Sequence, residues 1–438
     1  MTILDSRPDL PGDSDRGKHH ADSPGGAPEA LITETGVSEA PVPDLGAGRG
    51  PYWLDAWFDA NAQDVIAWRR YIHSNPELSR QEFATTEFVT SVLRSVGLKP
   101  TVLPAGTGVV CDIGSGPSCV ALRADLDALP LTEATGLPYG SAVPGAMHAC
   151  GHDAHTAILL AAGLALASAP ELPGRVRLIF QAAEEIMPGG ALDAIAAGAL
   201  DGVVRIFGLH CDPRLPVGRV GTRVGALTSA ADLVELRLTS PGGHTSRPHL
   251  TADLVHALGS VITGLPALLS RRVDPRSGTV LVWGAVHAGE AANAVPMDGL
   301  LRGTLRTADH EVWRMLEPLV ASSVESLLAP TGVGFDLEYR RGVPPVVSDP
   351  ESTAVLRAGA EAALGEGALA GTDQSSGGED FGWFLEHVPG AFARLGVWSG
   401  DGPMRDLHQP TFELDERAVL AGARLMVHSA LAALASEA

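Results

Sequence analysis

Apolar and polar positions change rhythm several times along the 438-residue chain. From residue 51 onward, apolar positions recur at helical spacing over 54–73 and 81–97, with Asn75-Pro76-Glu77-Leu78-Ser79 as the break between them. Short apolar runs at 107–113, 118–123, 176–181 and 204–209 then alternate with helical stretches at 154–167 and 190–198. Strand–helix alternation of this kind predicts an α/β sheet with helices on both faces. After Gly225 the period shortens to two: Leu233-Val234-Glu235-Leu236-Arg237-Leu238 reads as a half-exposed antiparallel strand. A helix at 252–269, strands near 279–287 and 300–306, a helix at 310–328 and a strand at 334–340 complete a β-α-β-β-α-β order. That order suits a ferredoxin-like two-layer sandwich. The α/β rhythm returns with a helix at 351–364, a strand near 391–397 and a last helix at 415–436. The prediction is an α/β domain built from residues 51–224 and 342–438, split by an inserted α+β domain at 225–341. Residues 1–50, rich in Pro, Gly, Ser and Asp, lack such periodicity and are expected to form a disordered acidic tail.

Charge narrows the function. Lys and Arg number 31 against 52 Asp and Glu, a net charge of −21. A phosphate backbone or an anionic membrane surface is held by excess basic charge, so neither is an expected partner. No apolar run reaches the roughly 18 residues of a membrane span, and no basic segment precedes an apolar stretch at the N-terminus. A cytoplasmic protein is expected. Four cysteines (Cys111, Cys119, Cys150, Cys211) are too few for a disulfide framework in such a chain, which leaves room for a thiol with a chemical role.

The densest cluster of reactive side chains is Met147-His148-Ala149-Cys150-Gly151-His152-Asp153-Ala154-His155. Cys150 and His152 offer a thiolate and an imidazole from one tight turn, a donor pair suited to Zn, Ni, Co or Mn rather than Mg or Ca. Taken alone, the pair equally fits a buried cysteine beside a solvent-facing histidine. Its company matters. The apolar run Leu178-Ile179-Phe180 leads into Glu184-Glu185, and two adjacent carboxylates at the end of a buried strand repel each other unless a cation or proton is shared. The run at 203–209 ends at His210, and Val120-Ala121-Leu122-Arg123 ends at Asp125-Leu126-Asp127. In doubly wound sheets the carboxyl ends of the strands form the ligand site, so these groups are expected to converge.

On these residues the chain resembles a known family, the metal-dependent amidohydrolases of the M20 peptidase clan. The similar branch holds N-acyl-amino-acid amidohydrolases, hippurate hydrolases and plant auxin-conjugate hydrolases. The matching segments include His73 with Asn75–Ser79, 122–130, 148–156, 180–185, Gly208-Leu209-His210, Gly242-Gly243-His244, Asn293-Ala294-Val295-Pro296, Gly378-Glu379-Asp380-Phe381 and His408. The resemblance implies a zinc-peptidase-like catalytic domain whose mixed sheet is flanked by helices, interrupted by a ferredoxin-like dimerisation or lid domain. It implies Cys150, His152, Glu185, His210 and His408 as ligands of two divalent ions (Mn, Zn, Ni or Co), and Glu184 as general base. His408 is reached only through the resemblance, because Leu407-His408-Gln409-Pro410 by itself is a loop histidine.

The clan's peptidases carry His-x-Asp where this chain has Asp125-Leu126-Asp127, which favours the amidohydrolase branch. Asp127 is a candidate for orienting a ligand from behind. So is Asp153, for which helix capping is an equal reading. The resemblance also implies a homodimer through the inserted domain, with His244 and Asn293 contacting substrate or oxyanion, often in the partner's site. Arg306 is a candidate for holding a substrate carboxylate, with a plain surface ion pair as the competing reading. The implied substrate is an N-acyl amino acid or a related amide conjugate. A dipeptidase or carboxypeptidase, and a ligand-binding protein without catalysis, are the alternatives.

Overall fold

The computed structural model describes residues 50–437; the expected tail at 1–50 lies outside them except for Gly50. Helices α1 (Tyr52–Ser74) and α2 (Phe83–Ser95) lead into strands β1 (Thr101–Val102), β2 (Val109–Gly114) and β3 (Cys119–Asp125). Then follow α3 (His152–Ala167), β4 (Arg175–Gln181), α4 (Ala191–Ala196), β5 (Val203–Pro216), β6 (Val220–Gly221) and β7 (Gly225–Ala226). The middle of the chain holds β8 (Ala230–Thr239), β9 (Gly243–His244), α5 (Leu254–Arg272), β10 (Val280–Ala288), β11 (Ala294–Val295), β12 (Asp298–Thr307), α6 (His310–Leu328) and β13 (Gly334–Val343). Last come β14 (Val347–Ser348), α7 (Pro350–Leu364), β15 (Leu369–Ala370), α8 (Gly382–Leu385), β16 (Gly390–Trp398) and α9 (Arg417–Ser436).

Eight strands form one mixed sheet in the order β1-β2-β4-β3-β5-β16-β6-β15. Its centre is parallel: β3 runs with β4 and β5, and β5 runs with β16. The buried residues of β3 and β4 divide between the two faces, as a pleated strand requires. Val120, Leu122, Val176, Leu178 and Phe180 join a core with α1, α3 and α9. Cys119, Ala121 and Ile179 join a smaller one with Phe381, Phe384 and Phe392. Helices thus cover both faces. A second, antiparallel sheet has the order β10-β12-β8-β13 and carries a separate core with α5 and α6, the strand order of a ferredoxin-like sandwich.

Two helices, α5 and α9, have the length and mean hydropathy of membrane spans, at 1.3 and 1.6. In α9 that apolar surface packs inside the protein, with 78% of the window buried. α3 is more enclosed still, with fifteen of its sixteen residues buried, so it lacks the two-faced pattern of a surface helix. It starts at His152, two residues before the sequence pattern suggests. Gly151 makes that start possible. Its φ is 89°, and a Cβ there would lie 2.9 Å from the Cys211 sulfur.

Candidate metal centre

Five segments bring their donors to the carboxyl edge of the parallel strands. The end of β3 supplies Asp125, with Asp127 just beyond; the turn before α3 supplies Cys150 and the first residue of α3 is His152; the loop after β4 supplies Glu184 and Glu185. The structure corrects one detail of the sequence reading. His210 does not end its strand, because β5 continues to Pro216 by pairing with β16 from Ile206 to Pro216. The fifth segment is the loop that carries His408, tied to the Cys150 turn by its own N–H donating to Ala149 O at 2.8 Å. Ala183 and His408 both hold left-handed backbone, at φ 58° and 61°. Such strain in non-glycine residues concentrates at functional sites.

The donor atoms are close. Cys150 Sγ lies 3.3 Å from His210 Nε2 and 3.3 Å from His408 Nε2. Glu185 Oε1 lies 3.4 Å from His408 Nε2 and 3.8 Å from His152 Nε2. His210 Nδ1 donates to Cys211 O at 2.8 Å, which leaves the Nε2 lone pair facing the cluster. His155 is used differently. Its Nε2 accepts from Cys211 N–H at 2.9 Å and its Nδ1 donates to Asp125 at 2.7 Å, so neither nitrogen is free to bind a metal. Nε2 of His152 and Oε1 of Glu185 are buried and make no hydrogen bond among the described residues. Buried polar atoms are normally satisfied, so a divalent cation fits this donor set: one thiolate, three imidazoles and a carboxylate.

Electrostatics agree. Burial, then Glu185 and Glu184, push the Cys150 thiol pKa well above its usual range. Burial, Glu379 and Glu185 likewise raise Glu184. Burial opposes a charged His152, yet Asp125 and Asp127 overcome it and lift that pKa to about 10. A site this rich in buried acceptors is calling for positive charge.

Asp127 sits beneath the acidic turn. Its Oδ1 accepts from Glu184 N–H at 3.1 Å, and its Oδ2 accepts from Glu185 N–H at 2.9 Å and from the Ser79 hydroxyl at 2.6 Å. The same carboxylate lies 3.3 Å from His152 Nδ1, so one side chain braces three residues of the cluster. Asp153 does something else. It pairs with Arg69 at 2.6 Å and His73 at 2.9 Å rather than with a donor of the cluster, and α3 receives no side-chain cap. Neither the bracing nor the capping expected of it is seen, because two cationic neighbours on α1 claim the carboxylate.

The cluster opens into a cleft of about 330 Å³ lined by Glu184, Glu185, Arg306, Glu379, Arg394 and His408 among others. Arg306 keeps one N–H on Ser376 O at 2.7 Å. His244 and Asn293 do not line this cleft; both are exposed, near the pairing of β9 with β11. His244 Nδ1 accepts from Ser246 N–H at 3.1 Å. A larger open cleft of about 630 Å³, around Trp398, Arg405 and Arg417, contains no such donor cluster.

Two features escaped the sequence reading. Arg123, fully buried, binds Asp125 at 2.6 Å, Asp380 at 2.8 Å and Glu379 at 3.2 Å, anchoring the 378–381 segment under the site. Arg394 lies inside the apolar run of β16, and a charge in a run that should be buried was the available signal.

A thiolate, imidazole and carboxylate cluster at the carboxyl edge of a mixed sheet is the donor set of a candidate divalent-metal centre. The chain belongs to peptidase family M20/M25/M40, whose family model matches residues 121–432. It is similar to the N-acetyl-L-cysteine deacetylase of Bacillus subtilis, at 38% identity over 84% of this chain and 88% of that protein. Among solved structures it resembles a dinuclear metal-binding peptidase of the M20 family from Bacillus subtilis, with 33% identity, a TM-score of 0.75, and coverage of 86% of this chain and 99% of the other. A longer relative in Rhodococcus jostii, named as a putative glutamate–cysteine ligase, is 56% identical over 91% of this chain. The chain spans only 54% of that relative's length.

Proposed function

We propose that the chain hydrolyses the amide bond of N-acyl amino acids or related amide conjugates, with Glu184 as general base. The observation that carries this reading is the pairing of Glu184 with Glu185. Both line one cleft, and only Glu185 comes within 4 Å of the His152 and His408 nitrogens. Cys150, His152, Glu185, His210 and His408 would hold two divalent ions, Mn, Zn, Ni or Co. Such ions supply Lewis acidity, which makes a water more acidic and polarises a carbonyl. Glu184 accepts the proton of the attacking water and hands it to the leaving nitrogen. Asp127 holds the Glu184 and Glu185 amides so that the two carboxylates keep separate directions.

In the same proposal, residues 51–224 and 342–438 form the catalytic domain, and 225–341 form a lid through which two chains dimerise. The exposure of His244 and Asn293 on their own chain supports their reaching the partner's cleft, where they would contact the substrate or the oxyanion. Arg306 faces the cleft from β12 and is suited to a substrate carboxylate. Four unpaired cysteines fit a reducing compartment and hence a cytoplasmic enzyme.

The test is metal analysis combined with hydrolysis of N-acetyl, N-benzoyl and indole-acetyl amino acids against dipeptides, with Mn, Co, Zn or Ni added. Cleavage of acyl amino acids with bound metal supports the reading. Preference for dipeptides replaces it with the peptidase alternative, and absence of turnover on every substrate rejects it.

A further inference from the structure

Arg394 is a cation lining the cleft, and it makes no ion pair among the described residues. It stands on β16 directly opposite His210 of β5, and paired residues in a sheet project from the same face. The His210 imidazole points at Cys150, so Arg394 leaves the sheet on the side of the metal centre and lines the cleft. On its other flank is Gly221 of β6, where an added Cβ would come within 3.2 Å of the Arg394 Cβ; the glycine leaves this side chain its room.

The residue is only 9% exposed, yet its guanidinium makes no hydrogen bond and no ion pair among the described residues. The two carboxylates near enough to act on it are taken. Asp212 is held by Arg214, at 3.0 and 2.9 Å, and Glu379 by Arg123, at 3.2 Å. A buried cation without a partner is costly, and a fold that keeps one beside a cleft leaves it for a ligand's negative charge. A divalent metal bound by Cys150 and His210 would sharpen the mismatch by adding positive charge next to it.

We infer that Arg394, rather than the Arg306 named above, takes the free α-carboxylate of the acyl amino acid. The inference rests on the hydrolase reading above and deepens it, because it makes the free carboxylate a condition of recognition. A permanent charge on the ligand, present before any bond is broken, is what a permanently charged and buried guanidinium complements. Arg306, half-exposed and already bound to Ser376 O, is the less demanding of the two arginines.

The experiment compares N-acetyl-L-alanine with its α-carboxamide in the metal-loaded wild type, Arg394→Met, Arg394→Lys and Arg306→Met. Arg394→Met is expected to raise KM for the acid by about 10- to 100-fold, the effect of one lost charge-assisted contact. KM for the carboxamide and kcat for both should stay within a few-fold, and Arg394→Lys should recover part of the loss. The melting temperature of ligand-free Arg394→Met should match or exceed that of the wild type, since an unpaired buried charge has been removed. A residue needed for structure would lower it.

Equal loss of kcat on both compounds would overturn the inference in favour of an oxyanion contact. A KM effect seen only in Arg306→Met would overturn it as well. Should the wild type cleave neither compound, the hydrolase reading fails separately. Calorimetric titration with N-acetyl-L-alanine then decides Arg394 alone: binding by the wild type and its loss in Arg394→Met supports the assignment, and equal or absent binding in both overturns it.

Discussion

Replacing Asp127 by Asn tests whether one carboxylate organises the whole centre. The native side chain accepts three hydrogen bonds, from the amides of Glu184 and Glu185 and from the Ser79 hydroxyl, and it lies against His152. Asparagine keeps one acceptor oxygen and turns an NH2 toward at least one of those donors. A donor left facing another donor in a fully buried place costs about 1–3 kcal/mol, and the bonds that survive lose their charge assistance. Together about 2–5 kcal/mol of stability is at risk, a range typical of broken buried networks. The local consequence is more specific. With the amides no longer pinned, Glu184 and Glu185 lose their fixed directions, and metal affinity should fall by about 10- to 100-fold, as it does when a group behind a ligand is removed. Thermal melting would measure the first effect and competition with a chelator the second. Full metal affinity and full turnover in Asp127→Asn would refute the argument, because they would mean the acidic turn holds its shape without this carboxylate.

Glu184→Gln should retain its metals while turnover falls by about 10²–10⁴-fold, whereas Glu185→Gln should lose metal and regain part of its activity when metal is added in excess. Metal content after dialysis, read beside kcat, separates the two. Burial raises the Glu82 carboxyl to about 7, although it accepts the Ala183 N–H at 2.8 Å. The folded protein therefore holds that proton more tightly than the unfolded chain, so stability should fall as pH rises from the usual Glu value near 4.5 through about 7, then level off. Glu82→Gln should remove about 3 kcal/mol of that slope, checked by denaturant melts of both proteins at pH 5 and pH 8. If His244 serves the partner's cleft, mixing inactive His244→Ala and Glu184→Gln proteins should restore a fraction of wild-type activity; no recovery after subunit exchange would mean that His244 acts within its own chain.

How much of this could be read from the sequence depends on how local each signal is. Cys150 and His152 share one turn, and Glu184 with Glu185 follow an apolar run, so the motif and the strand end both lie within a few residues. His408 was visible only through family resemblance. A loop that holds it by one backbone bond to Ala149 leaves no periodicity to detect. The length of β5 was hidden for another reason: its last residues are strand because β16 pairs with them, and that partner comes much later in the chain. Asp153 looked like a cap or a brace because it follows His152, but Arg69 and His73 on α1 reach it first. Arg394 broke the apolar run of its strand in plain sight, and its meaning needed the neighbouring strands to be in place.

The placement of β16 between β5 and β6 also sets a timetable for synthesis. β5 leaves the ribosome early with one side of its hydrogen-bonding edge unmatched, and the entire four-stranded sheet must be made before Gly390–Trp398 arrives to cover it. An open central strand is a template for pairing with the wrong chain, and contacts that wait so long form slowly. A nascent chain stopped before Gly390 would carry Cys150, His152, Glu185 and His210 beside a sheet that cannot close, lacking both the strand that flanks His210 and the loop of His408. The strand and loop that complete the centre are thus among the last parts of the chain to be made, and a product truncated before them should be prone to aggregation.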